Sequence, residues 1–225
     1  MSLLPRQMLS EFIGTFTLVF IGCGAVVATA APSSVGLVGV ALAFGIAVAV
    51  VVSATAHVSG AHINPAVTVA LWVTGKAKTV QVLPYILAQC VGAICAAFAL
   101  KALFPGTLTE QVSLGATTPG EDISAVAALV IEAILTFFLV FVIFGAAVDE
   151  RGPGVKSGAF AIGLAVTMDI IVGGAFTGGS MNPARSLGPA LASGTWSQFW
   201  VYVVGPIVGG ALAAIVYRSA FMSKE

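Results

Sequence analysis

From Phe12 through Gly75 the chain contains no Lys, Arg, Asp or Glu. A single membrane-crossing helix needs only about 20 apolar residues, so this stretch is long enough for more than one crossing. Across all 225 residues only 8% are charged and 59% are hydrophobic, whereas a soluble domain carries about 25% charged residues. Such a chain cannot clothe a water-facing surface. Its formal net charge of zero gives no reason to expect a nucleic-acid partner. Cys23, Cys90 and Cys95 lie in apolar segments, and their odd number and spacing fit neither a zinc site nor a disulfide framework. His57 and His62 are five apart, not the i, i+4 pair of a helical zinc site. Neither metal nor cofactor is expected, and no nucleophile–base pair with a plausible spacing supports an enzyme.

Hydropathy and turn residues predict an all-α membrane protein with six spans: Met8 to Ala28, Gly36 to Ala56, Val82 to Phe104, Ser124 to Val148, Ser157 to Gly174 and Phe199 to Tyr217. Breaks fall at clusters such as Pro32-Ser33-Ser34, Pro105-Gly106 and Gly152-Pro153-Gly154. Two further apolar stretches, Pro65 to Val73 and Pro183 to Ala192, are only about ten residues long. At 1.5 Å per residue they reach about 15 Å, half the hydrocarbon thickness, so they read as re-entrant half-helices.

Each half-helix opens with the same triplet. Asn64-Pro65-Ala66 recurs 118 residues later as Asn182-Pro183-Ala184. Ala43-Phe44-Gly45-Ile46-Ala47-Val48 and Ala161-Ile162-Gly163-Leu164-Ala165-Val166 share that offset, and the Glu11 to Phe20 pattern is answered by Glu132 to Phe141. The chain is therefore read as one transmembrane channel domain, residues 1–225, made of repeats 1–104 and 119–225. Arg6, Lys76, Lys78, Arg151, Lys156, Arg218 and Lys224 flank one side, while Glu110, Glu121 and Asp122 lie on the other, with Lys101 as the basic exception. The positive-inside rule then places both termini in the cytoplasm. Three spans precede each return, so the repeats are inverted and the half-helices enter from opposite faces.

Asn is a strong N-cap and Pro suits the first helical position. Both half-helices should start near the midplane with their positive dipole ends at one locus. If the carboxamide oxygens cap the helices, the two side-chain NH₂ groups face a lumen. Water there accepts through its oxygen and directs its protons outward along the file, while the positive potential repels cations, the use of half-helix dipoles known for aquaporin-type pores. One such triplet alone would be an ordinary capped helix. The segments Ser59-Gly60-Ala61-His62-Ile63 and Gly178-Gly179-Ser180-Met181 are expected to be extended, with carbonyls laddering along the lumen. Glu11 and Glu132 lie inside spans, which is costly, and are expected to accept backbone N–H bonds from these loops. The competing reading makes them a proton relay.

With these residues assembled, the sequence resembles an aquaporin, a member of the major intrinsic protein family, over essentially its whole length. The match rests on Ser59 to Thr68, Asn182 to Ser186, Glu11 and Glu132. It implies a homotetramer with one pore per subunit in membrane lipid, and it places His62 in the inner vestibule. It also implies an outer selectivity filter at Phe44, Ile170, Gly179 and Arg185. Arg185 is placed unfavourably in the first turn of a half-helix, which points to function. Strict water channels carry His at the position of Ile170, so this filter should be wider and less polar. Glycerol facilitators resemble a different pattern, with Asp directly after the Arg, where this chain has Ser186.

The stretch Gly173 to Met181 resembles that of plant tonoplast-type aquaporins, some of which pass ammonia or urea. Small neutral solutes, glycerol among them, therefore join water as expected cargo. The Gly179 position, where some relatives carry a mercury-binding Cys, predicts insensitivity by that route. Asp169 is expected to be buried away from the pore, capping loop backbone or meeting a neighbour. The alternatives to a passive channel are a proton-coupled small-solute carrier and a non-conducting scaffold. The short termini point to a prokaryotic plasma membrane.

Overall fold

The computed structural model describes residues 3–32 and 34–222. Two sequence expectations, the turn at Ser33 and the basic Lys224, lie outside the described residues. The helices are α1 (Leu3–Thr29), α2 (Gly36–Ser59), α3 (Pro65–Val73), α4 (Thr79–Leu103), α5 (Gly106–Gln111), α6 (Ala125–Ile143), α7 (Gly154–Thr177), α8 (Pro183–Ser193) and α9 (Val201–Ala220). Six of them are long and apolar enough to cross a membrane, the fourth being α6 continued by a π-helical turn, Phe144–Val148. No strand is present among the described residues. The fold class read from the sequence is the observed one.

Several helix ends run past the predicted limits, whereas α9 begins at Val201, two residues inside its predicted start at Phe199. α1 begins at Leu3 and α7 at Gly154, because the helices continue beyond the apolar stretch onto polar residues such as Arg6, Gln7 and Lys156. The short α5 and the 3₁₀ turn Ser113–Gly115, both in the connection before α6, carry no apolar periodicity and were not anticipated.

The packing pairs repeat. α1 packs on α2 and α4 as α6 packs on α7 and α9, and α2 meets α7 across the middle. The half-helices swap sides: α3 lies against α9, and α8 against α4. At the α2–α7 crossing, Gly45 and Gly163 face each other. A Cβ on Gly163 would stand 2.4 Å from the Gly45 oxygen, and one on Gly45 would stand 2.5 Å from the Gly163 oxygen. Small residues let the backbones touch, the usual solution where lipid removes the hydrophobic drive to associate. Around the outside, Ile46, Val50, Phe160, Leu164 and Leu212 are exposed, an apolar coat for hydrocarbon.

Candidate functional site

Both half-helices begin as their sequences require. Asn64 and Asn182 are extended, with φ of −157° and −149°, and each is followed by Pro at the first helical position. Asn64 Oδ1 accepts from Ala66 N–H at 2.8 Å. Asn182 Oδ1 accepts from Ala184 and Arg185 N–H at 3.0 and 3.2 Å. The caps thus satisfy helix amides that would otherwise be orphaned at membrane depth.

The amide nitrogens are not both left to the lumen. Asn64 Nδ2 donates to the Met181 carbonyl at 2.8 Å, and Asn182 Nδ2 donates to the Ile63 carbonyl at 2.9 Å. Each Asn therefore spends one N–H on the other repeat's loop and keeps one. This corrects the expectation of two free NH₂ groups. The reciprocal exchange locks the two half-helix starts together.

The loops are also not extended. α2 ends at Gly60 (φ 88°) and α7 at Gly178 (φ 83°), after which Ala61, Ile63, Gly179 and Met181 all have φ between 46° and 55°. Left-handed residues are uncommon for non-glycine side chains. Here they belong to two loops in which the Ile63 and Met181 carbonyls are taken by the asparagines.

Glu11 and Glu132 hold this geometry. Glu11 Oε1 accepts from Ser59 Oγ (2.6 Å) and His62 N (2.9 Å), and Oε2 accepts from Ile63 N (2.6 Å) and Gln89 Nε2 (2.8 Å). Glu132 Oε1 accepts from Thr177 Oγ1 (2.7 Å) and Ser180 N (2.9 Å), and Oε2 from Met181 N (2.8 Å). Both carboxylates are fully buried. A buried carboxylate persists only with such partners. Their spacing matches the loop amides, so the expected backbone support is what the geometry provides.

A cavity of about 280 Å³ lies at the centre. It is lined by Gly60, Ala61, His62, Ile63 and Asn64 from one repeat, and by Gly179, Ser180, Met181, Asn182 and Arg185 from the other, with Phe44 and Ile170. Gly178 instead faces a second, outer cavity that also reaches Arg185. Pro65, Ala66, Pro183 and Ala184 are buried behind the asparagines as helix-starting structure.

Arg185 is held from two sides. Its Nη1 donates to the Gly115 carbonyl at 2.7 Å, and its guanidinium carbon sits 4.7 Å over the Phe44 ring, a cation–π arrangement. Gly22 makes room for that ring, since a Cβ there would fall 2.1 Å from it. His62 lines the cavity and is also pinned, with Nδ1 3.1 Å from Thr68 Oγ1 and its ring edge-on to Tyr85 at 5.0 Å.

Asp169 is buried, as expected, and lies off the cavity wall. The expected loop cap or neighbouring partner is not found: Asp169 Oδ2 has no hydrogen-bond partner.

Sequence reasoning missed the apolar wall, including Leu18, Val48, Val52, Leu139, Ile143 and Val166. On helices apolar all round, pore-facing and lipid-facing aliphatics look alike. Leu18 and Leu139 did carry a signal, as matched members of the Glu11 and Glu132 repeat. The Gly115 carbonyl carried none.

Fold and site together define a membrane channel: two opposed half-helices meeting in a lumen enclosed by six spans. Comparison with known proteins specifies the kind. A family model described as major intrinsic protein matches residues 2–217. The chain is 42% identical over 225 residues to aquaporin TIP4-4 of Zea mays, covering 97% of this chain and 88% of that protein. It is 43% identical over 214 residues to aquaporin NIP1-1 of Zea mays, covering 95% and 74%. The X-ray structure of the aquaglyceroporin from Plasmodium falciparum superposes with a TM-score of 0.88 at 29% identity, covering 96% of each chain. The chain belongs to the major intrinsic protein family. It is an integral, multi-pass membrane protein and a passive channel for water, not an enzyme.

Proposed function

We propose that water passes the Asn64–Asn182 locus in single file, and that Phe44, Ile170, Gly179 and Arg185 form the filter that sets which solutes accompany it. The observation that carries this reading is the reciprocal asparagine exchange at two half-helix N-termini on one cavity. Each Asn retains one N–H donor there, and both positive dipole ends point inward. A water held by two donors has no lone pair left to accept a relayed proton, and a cation meets a positive potential.

The filter has one cation, one aromatic and two groups, Ile170 and Gly179, that offer the cavity no polar side chain. It is wider and less polar than one with His in place of Ile170, so small neutral solutes such as ammonia, urea and glycerol are proposed cargo. The tonoplast-type resemblance of Gly173 to Met181 and the similarity to an aquaglyceroporin structure support that range.

The subunits are proposed to assemble as a homotetramer in lipid, with both termini cytoplasmic. Arg6, Lys76, Lys78, Arg151, Lys156 and Arg218 support the orientation. The relatives named above that share about two-fifths of the sequence are plant proteins, which lends no support to a prokaryotic membrane.

Stopped-flow permeability of proteoliposomes to water, ammonia, urea and glycerol tests the proposal. Passage of water together with at least one of these solutes supports it. Water alone would refute the broad filter, and uphill solute movement driven by a pH gradient would establish a carrier instead. Absence of water flux would favour a scaffold.

A further inference from the structure

Lys101 departs from the positive-inside pattern, and its structural setting explains why. From α4 its Nζ donates to the Ala192 carbonyl, in the last turn of α8, at 2.6 Å. Arg218, on α9, does the same for the other half-helix: its Nη1 donates to the carbonyl of Thr74, the C-cap of α3, at 2.9 Å. The two contacts are equivalent in the repeat. Lys101 and Arg218 are 117 residues apart, and Thr74 and Ala192 are 118 apart, close to the offset of the asparagines. Both also cross between repeats, because each half-helix packs on the third span of the opposite one.

We propose that Lys101 and Arg218 are positioning residues for ion exclusion: each caps the outer, negative end of a half-helix whose positive end forms the central barrier. A helix C-terminus carries about −0.5 elementary charge. Left alone, that end partly offsets the positive potential that its own N-terminus projects into the pore. A cation bonded to the terminal carbonyls cancels the offset and anchors the helix axially, so the Asn ends stay opposed. The inference rests on the proposed role of the half-helix dipoles at Asn64 and Asn182.

α8 has 11 residues, so Lys101 sits about 16 Å from the centre. One unit charge at that distance, at effective dielectric constants between about 80 and 20, alters a monovalent cation's occupancy of the centre by about 1.5- to six-fold. Water, being neutral, should be affected far less.

The test compares sodium and proton leak with water permeability in the same proteoliposomes, so that the ratio cancels the amount of protein inserted. Asn182→Asp serves as a sensitised background, because Asp is also a good N-cap and its charge lowers the central barrier. In that background Lys101→Met, and separately Arg218→Met, should raise the cation-to-water ratio about 1.5- to six-fold. The effects should multiply in the double variant, and Lys101→Arg and Arg218→Lys should restore the ratio. A ratio unchanged by both Met variants overturns the proposal, whatever happens to thermal stability. So does an equal rise in the charge-conserving variants, which would mark a purely steric role. If Asn182→Asp itself leaves cation leak at the wild-type level, the failure lies with the central dipole reading instead.

Discussion

Replacing Glu132 with Gln changes two atoms' hydrogen-bonding character and almost no volume. In the structure Oε1 receives Thr177 Oγ1–H and Ser180 N–H, and Oε2 receives Met181 N–H. A Gln oxygen is best placed at the Oε1 position, where it keeps two donors. Its NH₂ then confronts Met181 N–H, donor against donor. Orphaning that buried amide costs about 1–3 kcal/mol. The two surviving bonds fall from charge-assisted values of about 1.5–3 kcal/mol to neutral values of about 0.5–1.5 kcal/mol each. The sum is a loss of roughly 3–6 kcal/mol. At about 2–4 °C per kcal/mol for a chain of this size, the midpoint of thermal unfolding in detergent should drop by roughly 6–24 °C.

Function should fall with it, because Met181 is the residue whose carbonyl holds Asn64 Nδ2. Glu132→Gln is therefore expected to lower water permeability per inserted protein at least several-fold. Glu132→Asp, which is one methylene short of the loop, should do no better. A Gln variant with wild-type melting and wild-type water flux would refute the argument. Wild-type water flux together with loss of a pH-driven solute current would go further and restore the proton-relay reading of Glu132.

Other expectations follow from single contacts. Ile170→His should narrow glycerol and urea passage while water flow persists, measured by stopped flow on the same vesicles. Gly163→Ala places a methyl 2.4 Å from the Gly45 oxygen, so it should destabilise by about 1–3 kcal/mol or more through overpacking, read as a lowered melting midpoint. Asp149, directly after the π turn, accepts from Arg151 Nε (2.9 Å), Nη2 (2.5 Å) and backbone N–H (3.0 Å). The Arg151 side chain, with its backbone N–H, holds the Asp149 carboxyl well below the usual carboxylate range. A depressed folded-state value means the contribution is present above the unfolded value of about 3.9 and is lost only as pH falls through the lower folded one. Amide exchange in residues 149–152 should therefore stay protected from pH 7 down to about pH 4, and Asp149→Asn should abolish that protection across the range.

Much of this architecture is fixed by local chemistry. An uncharged stretch from Phe12 to Gly75 has no stable fold in water, and backbone groups in hydrocarbon must bond internally, which leaves helices. Ten apolar residues after an Asn-Pro start cannot cross, whatever surrounds them. The repeat of those starts after an odd number of spans forces inversion. The loop-supporting glutamates were legible for the same reason: a carboxylate at membrane depth must find donors, and the nearest unpaired donors are the amides of the broken helix.

Tertiary structure decided what depends on partners distant in sequence. That each Asn spends one amide hydrogen on the other repeat's loop follows from the meeting of Met181 with Asn64 and of Ile63 with Asn182, contacts more than a hundred residues apart. The Gly115 carbonyl beneath Arg185 belongs to a turn with no pattern of its own. The aliphatic wall could not be separated from the lipid-facing coat, because an all-apolar helix has no amphipathic face to read. Lys101 illustrates the boundary. The sequence marked it as a charge on the wrong side of the membrane. Only the packing of α4 on α8 gave it a partner, the carbonyl end of a half-helix whose other end faces the pore.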